Sequence, residues 1–161
     1  MADLLNNTNS NANNYGDDAI VTLSPREHIR LRPGMYVGVV GDGSQPDEAL
    51  YVLIKEVVDN SIDEFIMGAG RQIDITLADN VVTVRDYGRG IPLKSLAAAV
   101  GQMNTGGKYG GDAFKKTVGL NGVGVKAVNM LSEEFTARSV RDGEARTVTF
   151  AKGLEVSDRW E

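Results

Sequence analysis

The sequence predicts an α+β domain: a two-layer sandwich of helices on a mixed, mainly antiparallel sheet. Three observations carry this expectation. The stretch "DEALYVLIKEVVDNSIDEFIM" (47 to 67) has the apolar period of one long amphipathic helix. "RQIDITLADNVVTVRD" (71 to 86) alternates with period two on both sides of Asp79-Asn80, which makes a strand, a turn and a second strand. "EEFTARSVRDGEARTVTFAKG" (133 to 153) does the same around Asp142-Gly143, a second hairpin.

Composition bounds the rest. The chain has 161 residues, 42% of them hydrophobic and 24% charged, enough for one domain with a sizeable core. Lys plus Arg is 17 against 22 for Asp plus Glu, and the net charge of -5 argues against a large nucleic-acid groove within these residues. Work on DNA would need another domain. With no cysteine, disulfides and thiolate metal sites are excluded. There is neither a signal-peptide pattern nor an apolar run approaching about 18 residues, so a cytoplasmic protein without a membrane partner is expected.

Residues 1–19 are rich in asparagine ("NNTNSNANNYGDD", 6 to 18) and offer too little apolar surface to bury, so they read as a flexible arm carrying one aromatic, Tyr15. Residues 20–161 form the expected domain. In "IVTLSPREHIRLRPGMYVGVV" (20 to 40), Ser24 caps and Pro25 starts a short helix that stops before Pro33-Gly34. Its His28, the one histidine of the chain, reads as a surface residue. "GDGSQPDE" (41 to 48) is a loop.

In the long helix, Leu50, Ile54, Val57, Val58, Ile62 and Phe65 form one apolar arc, the expected core face. Opposite lie Glu56, Asn60 and Asp63, spaced by four and three residues, with Asp59 beside them. Most acidic stripes are solvated faces. A solvated helix usually interleaves lysines, however, and Lys55 is the sole one between positions 48 and 67. Glu56 and Asn60 at i and i+4 suit a Mg2+ site with a water-activating carboxylate, because Mg2+ takes oxygen ligands and retains waters.

Asp86 follows the second strand in "TVRDYGRGIP" (83 to 92) and shares a strand face with Val82 and Val84, so its side chain is expected to point inward. An ordinary turn explains Asp, Gly and Pro together. A buried Asp needs donors, though, and Gly88 and Gly90 strip side chains from the backbone beside it, which favours a planar ligand bearing an N–H group. Residues 101 to 124, "GQMNTGGKYGGDAFKKTVGLNGVG", hold eight glycines with Lys108, Lys115 and Lys116, and a helix is expected directly after them. A linker would account for glycines alone. Glycines and lysines before a helix N-terminus fit phosphate better, although neither GxGxxG nor a P-loop is present.

"EVVDNSIDE" (56 to 64), "DYGRGIP" (86 to 92), "TGGKYGG" (105 to 111) and "GLNGVGVKAVNMLS" (119 to 132) together resemble the ATP-binding motifs of the GHKL superfamily. That superfamily, with its Bergerat fold, includes type II topoisomerases, a heat-shock chaperone, mismatch-repair proteins and histidine kinases. Within it, "REHIRLRPGMYVG" (26 to 38) is similar to the signature of the ATPase subunits of bacterial DNA gyrase and topoisomerase IV. The resemblance runs from about Tyr15 to near position 150.

The resemblance implies ATP and Mg2+ as cofactors and assigns roles. Glu56 would be the general base that orients the attacking water, and Asn60 would give Mg2+ its oxygen ligand. Asp86 would accept the adenine amino group, Gly90 would let the ring approach, and Arg89, paired with Glu64, would lie along the adenine edge. Asp63, Ile91 and Pro92 would line the same site. Residues 101 to 124 would be the ATP lid, with Lys108 and the backbone of Leu120, Asn121, Gly122, Val123 and Gly124 on the phosphates; Asn121 stands where gyrase commonly has histidine. Tyr15 would reach the nucleotide of a second copy through the arm. Arg141 would contact aminocoumarin inhibitors at the pocket mouth.

The implied function is the ATP-hydrolysing part of a bacterial type II topoisomerase, gyrase or topoisomerase IV, partnered in the full enzyme by the DNA-cleaving A-type subunit and DNA. The chain is expected to stop before the transducer domain that gives the family its phosphate-binding lysine, and before the Gly-Thr strand. Binding without appreciable hydrolysis is the consequence. The alternative is a non-catalytic nucleotide- or inhibitor-binding GHKL module. A histidine kinase is disfavoured because no phosphoacceptor helix pair precedes the ATP motifs, and the chaperone reading lacks that protein's further domains.

Overall fold

In the computed structural model, which describes residues 20–105 and 123–161, the chain enters its first helix at Ser24. Ser24 Oγ accepts from the Glu27 amide while the Glu27 carboxylate accepts from the Ser24 amide at 2.8 Å, a reciprocal capping box, and Pro25 occupies the first turn. This is α1 (Pro25–Leu31). There follow α2 (Gly34–Val37), α3 (Ala49–Ile66), β1 (Ile73–Ala78), β2 (Val81–Asp86), a 3-10 turn (Leu93–Ser95) and α4 (Leu96–Gly101). The remainder is α5 (Gly124–Leu131), β3 (Glu134–Arg141), β4 (Glu144–Ala151) and β5 (Leu154–Trp160).

Three hairpin turns share one chemistry. Asp79-Asn80, Asp142-Gly143 and Lys152-Gly153 all have positive φ at both central residues (51° and 62°, 54° and 85°, 51° and 82°). That pattern matches the right-handed twist of the flanking strands, and Asn, Asp and Gly tolerate it best. The third turn produces β5, a strand the sequence reading does not anticipate, because a lysine stands at its first position and Ser157-Asp158-Arg159 blurs the alternation.

The α+β class holds, with antiparallel sheets and helices packed on them. The strands form two sheets, β1-β2 and β3-β4-β5, and the parallel element is the single bridge between Val39 and Glu48 among the described residues. After β2 the chain leaves for the 3-10 turn, and β3 starts only beyond α5, so loop and helix contacts join the sheets. One core cluster unites Leu96 and Val100 of α4 with Val148 and Phe150 of β4; another unites Val37, Ala49 and Ala127. Each fully buried aliphatic side chain there contributes about 1.5–3 kcal/mol.

Two expectations need correction. The apolar arc of α3 is not uniformly buried: Leu50 and Phe65 are 48% and 59% exposed, whereas Ala49, Asp59, Ser61 and Asp63 are buried. The helix turns its Ala49 and polar side towards α5 and meets β2 on another side, and the ends of the arc, Leu50 and Phe65, remain largely exposed. His28 is half-buried, with its Nδ1 2.5 Å from the Tyr36 hydroxyl and the two rings edge-to-face, because α2 folds back over α1. No helix among the described residues is long and apolar enough to cross a membrane.

Candidate functional site

Asp86 closes β2, paired across the hairpin with Ile73. Its Oδ1 accepts from the Gly88 amide at 2.9 Å, and its Oδ2 accepts from the hydroxyl of Ser61 at 3.4 Å. Beside them opens a cavity of about 200 Å³ whose wall includes Ser61, Phe65, Ile73, Asp86 and Tyr87. Tyr87 is held in place by a 2.7 Å hydrogen bond to Asp74 and by the Arg85 guanidinium 4.6 Å over its ring. The expected burial of Asp86 is not met: the carboxylate faces α3 but remains exposed, since the cavity beside it is open to solvent. Ser61 is missing from the sequence reading. A small polar residue inside the apolar arc, between Val58 and Phe65, is the signal that would have found it.

Three residues beyond Ser61 on α3, Glu64 receives Arg89 three times: from its backbone amide at 3.0 Å, from Nε at 3.1 Å and from Nη2 at 2.9 Å. These bonds, the side-chain ones foremost, hold the Glu64 carboxyl below the usual glutamate range against the opposing effect of partial burial. The neighbouring glycines make room for protein atoms. A β-carbon at Gly88 would lie 2.9 Å from the Glu64 side chain, and one at Gly90, where φ is +72°, would lie 2.7 Å from the Val140 carbonyl. Ile91 is anchored through its carbonyl, 2.7 Å from the Ser139 hydroxyl. Pro92 and Arg141 line a second open cavity with Trp160, and Arg141 has its Nε 3.7 Å from Asp142.

Glu56 and Asn60 precede Glu64 by two turns and one turn on the same face of α3. Asn60 Nδ2 donates to the Glu56 carbonyl at 2.7 Å, which leaves its Oδ1 as an oxygen donor for a cation. Glu56 packs against Gly124, the first residue of α5, with Val123 before it; a β-carbon at Gly124 would collide with the carboxylate. The first amides of α5 lack intrahelical acceptors, so anion-binding capacity stands beside the Glu56 carboxylate. Deeper, Asp63 is buried, and Asp59 is buried in an ion pair with Lys55. Lys126 of α5 donates to the Thr105 carbonyl at 2.6 Å, joining α5 to the residues just beyond α4.

The structure thus lines up Glu56, Asn60 and Glu64 over about 12 Å of helix, with Gly124 at one end and Arg89 and Asp86 at the other. Arg141 belongs to the separate cavity. Tyr15, Lys108, Leu120, Asn121 and Gly122 lie outside the described residues. No group of three or more His, Cys, Asp or Glu among the described residues is placed to hold a metal by itself. An amide oxygen fits a Mg2+ that takes its remaining ligands from phosphate and water.

Comparison with known proteins meets the same architecture. The chain is 55% identical over 146 residues to the B-type subunit of DNA topoisomerase 4 from Borreliella burgdorferi, covering 91% of this chain and 24% of that protein. It is 42% identical over 153 residues to the B-type subunit of DNA gyrase from Rickettsia conorii, covering 89% of this chain and 18% of that one. Against the B-type subunit of DNA topoisomerase 4 from Streptococcus pneumoniae the identity is 39%, over 89% of this chain and 23% of the relative, so identities to the two enzymes interleave. The chain spans a quarter or less of the length of these curated relatives. Among solved structures, the 43K ATPase domain of Thermus thermophilus gyrase B in complex with an aminocoumarin superposes with a TM-score of 0.67 at 28% identity, covering 84% of this chain and 34% of that one. Residues 45–155 match the family described as histidine kinase-, DNA gyrase B- and HSP90-like ATPases, and the chain belongs to that family.

Proposed function

We propose that residues 20–161 are the ATP-binding domain of a bacterial type II topoisomerase of the gyrase and topoisomerase IV kind, with residues 1–19 as its arm. The observation that carries this reading is the row Glu56–Asn60–Glu64 on α3, which runs from Gly124 at the start of α5 to Arg89, in the segment that follows the Asp86 carboxylate held by Ser61. A nucleotide laid along that row puts its base at Asp86 and its phosphates at Gly124.

Asp86 accepts the exocyclic N–H of adenine, and Ser61, already on the same carboxylate, holds the second oxygen in place. Arg89, fixed by Glu64, lies along the base edge, with Ile91 and Pro92 continuing the wall. Asp63, buried on α3 one residue before Glu64, is assigned to the site on the motif resemblance alone. The amides of Val123 and Gly124, with Leu120, Asn121, Gly122 and Lys108, receive the phosphates. Glu56 takes the proton of the water that attacks the γ-phosphorus and orients that water in line with the leaving oxygen. Asn60 Oδ1 is the protein ligand for Mg2+, which supplies charge neutralisation at the phosphates when bound.

The relatives' names, subunits B of DNA topoisomerase 4 and DNA gyrase, support a companion subunit and DNA as partners; a second copy joined through the arm and Tyr15, and a cytoplasmic location, complete the proposal on the motif resemblance alone. The gyrase B domain solved with an aminocoumarin supports the same inhibitor class here, with Arg141 beside Pro92 as its contact.

The test is Glu56→Ala in the topoisomerase that contains this chain, assayed for ATP hydrolysis and for binding of a non-hydrolysable analogue. Hydrolysis is expected to fall by about 10²–10⁴-fold with binding retained. Unchanged hydrolysis would refute the base assignment. A parent protein that binds the analogue but never hydrolyses ATP would be the non-catalytic module instead.

A further inference from the structure

We infer that Arg146 is a positioning residue for the nucleotide wall, a role that rests on the reading of Asp86 to Pro92 as the adenine side of the site. Arg146 lies on β4, away from the row on α3, and its side chain is only 10% exposed. Its Nε and Nη2 grip both oxygens of Asp158 on β5, at 2.9 Å and 2.8 Å. The remaining nitrogen, Nη1, donates to the Leu93 carbonyl at 2.6 Å and to the Lys94 carbonyl at 3.2 Å. The guanidinium also lies 4.9 Å over the Trp160 ring. A buried guanidinium is costly unless its donors are satisfied; here the carboxylate and two main-chain carbonyls take four of its five N–H groups.

The location of those carbonyls distinguishes this cluster from an ordinary sheet ion pair. Leu93 and Lys94 open the 3-10 turn directly after Arg89–Pro92, a segment with no strand pairing of its own. Three tethers hold it: Glu64 takes Arg89 upstream, Ser139 takes the Ile91 carbonyl, and Arg146 takes the two carbonyls downstream. Two of the three come from the β3-β4-β5 sheet, which makes no strand pairing with the β1-β2 hairpin that carries Asp86. Arg146 therefore transmits the position of one sheet to a wall that must register with a carboxylate on the other. Lysine cannot substitute, because the fork spans Asp158 and the turn at once whereas an ammonium is a point donor.

The experiment measures amide hydrogen exchange and calorimetric binding of a non-hydrolysable ATP analogue with Mg2+, on the 161-residue chain, for wild type, Arg146→Lys, Arg146→Ala and, as a reference for the site, Asp86→Asn. Temperature is kept well below every unfolding midpoint. Expected are faster exchange confined to about residues 88–95, retained protection in β3 and β4, and a Kd raised about tenfold in both Arg146 variants, lysine giving no rescue. Binding within about twofold of wild type in both would overturn the inference while leaving the nucleotide site standing. Equal loss of protection throughout β3-β5 would also overturn it, since Arg146 would then support the sheet alone. Should the Arg146 variants fail to fold, Asp158→Asn makes the same comparison at the more exposed end of the pair. Wild type that does not bind the analogue, or binds it as well with Asp86→Asn, would defeat the nucleotide reading and this inference with it.

Discussion

The Glu56 carboxyl lies against the α-carbon of Gly124, so close that a β-carbon there would come within 2.6 Å of Glu56 Cδ. Glycine is needed here for room, since it is the first residue of α5 and adopts helical backbone. Gly124→Ala sets two effects against each other. Helix propensity gains less than the roughly 1 kcal/mol of an interior site, because Gly124 opens the helix, and the obstructing atoms end a flexible side chain that can rotate aside. Stability is expected to stay within about 1 kcal/mol of wild type, but Glu56 moves, and misplacing a base by an ångström costs about 10²-fold in rate. Thermal unfolding together with ATPase turnover of the parent protein checks this; normal turnover would separate Gly124 from the chemistry.

Arg89 and Glu64 give a pH signature. The pair depresses the Glu64 carboxyl, with hydrogen bonds from the Arg89 side chain as the largest cause. A depressed carboxyl contributes stability that is fully present above the ordinary glutamate value, about 4.3, and is lost as pH falls through the lower folded value. Both side chains are partly solvated, at 56% and 28% exposure for Arg89 and Glu64, so screening limits the pair to about 1 kcal/mol or less. Carboxyl-carbon NMR should find Glu64 titrating below ordinary glutamates and returning upward in Arg89→Ala. The same midpoint in both proteins would show that Arg89 does not hold the carboxylate.

Gly90 and Gly143 separate crowding from backbone strain. Both have positive φ, +72° and +85°, but a β-carbon at Gly143 meets nothing within 4 Å whereas one at Gly90 meets the Val140 carbonyl at 2.7 Å. Gly143→Ala should cost about 1 kcal/mol from φ alone. Gly90→Ala should cost about 1–3 kcal/mol more. Denaturant unfolding of the two variants measures the difference, and equal losses would mean that β3 yields without cost.

Asn129 is fully buried on α5 and donates from Nδ2 to the Val100 carbonyl at 3.0 Å. Asn129→Ala leaves that carbonyl near the end of α4 without its donor, at a cost of about 1–3 kcal/mol. A calorimetric unfolding scan reads the loss directly. An unchanged midpoint would show that the contact between α4 and α5 rests on apolar packing instead.

Much of this was legible in the chain because local chemistry set it. Ser24, Pro25 and Glu27 specify the start of α1, and Asp79-Asn80 and Asp142-Gly143 specify their hairpins, without help from distant residues. The face shared by Glu56 and Asn60 follows from helical spacing. What escaped depends on packing between elements. Ser61 goes unread because its partner, Asp86, is brought beside it only by the packing of β2. The burial of Asp59 and Asp63 is not visible in helical spacing, because it is α5 that covers that side of α3. Gly88 and Gly90 read as clearance for a ligand, while their β-carbon directions are taken by Glu64 and by β3. Arg146 has no local signal, because its partners are about 50 residues upstream and 12 downstream.

Calorimetric titration of the 161-residue chain with a non-hydrolysable ATP analogue and Mg2+, with Asp86→Asn measured alongside, is the most direct test of the nucleotide site. Saturable binding by the wild type, weakened about a hundredfold by a substitution that removes one charged acceptor, is the predicted result. No binding by the wild type, or equal binding by both proteins, would contradict the assignment of Asp86 to adenine.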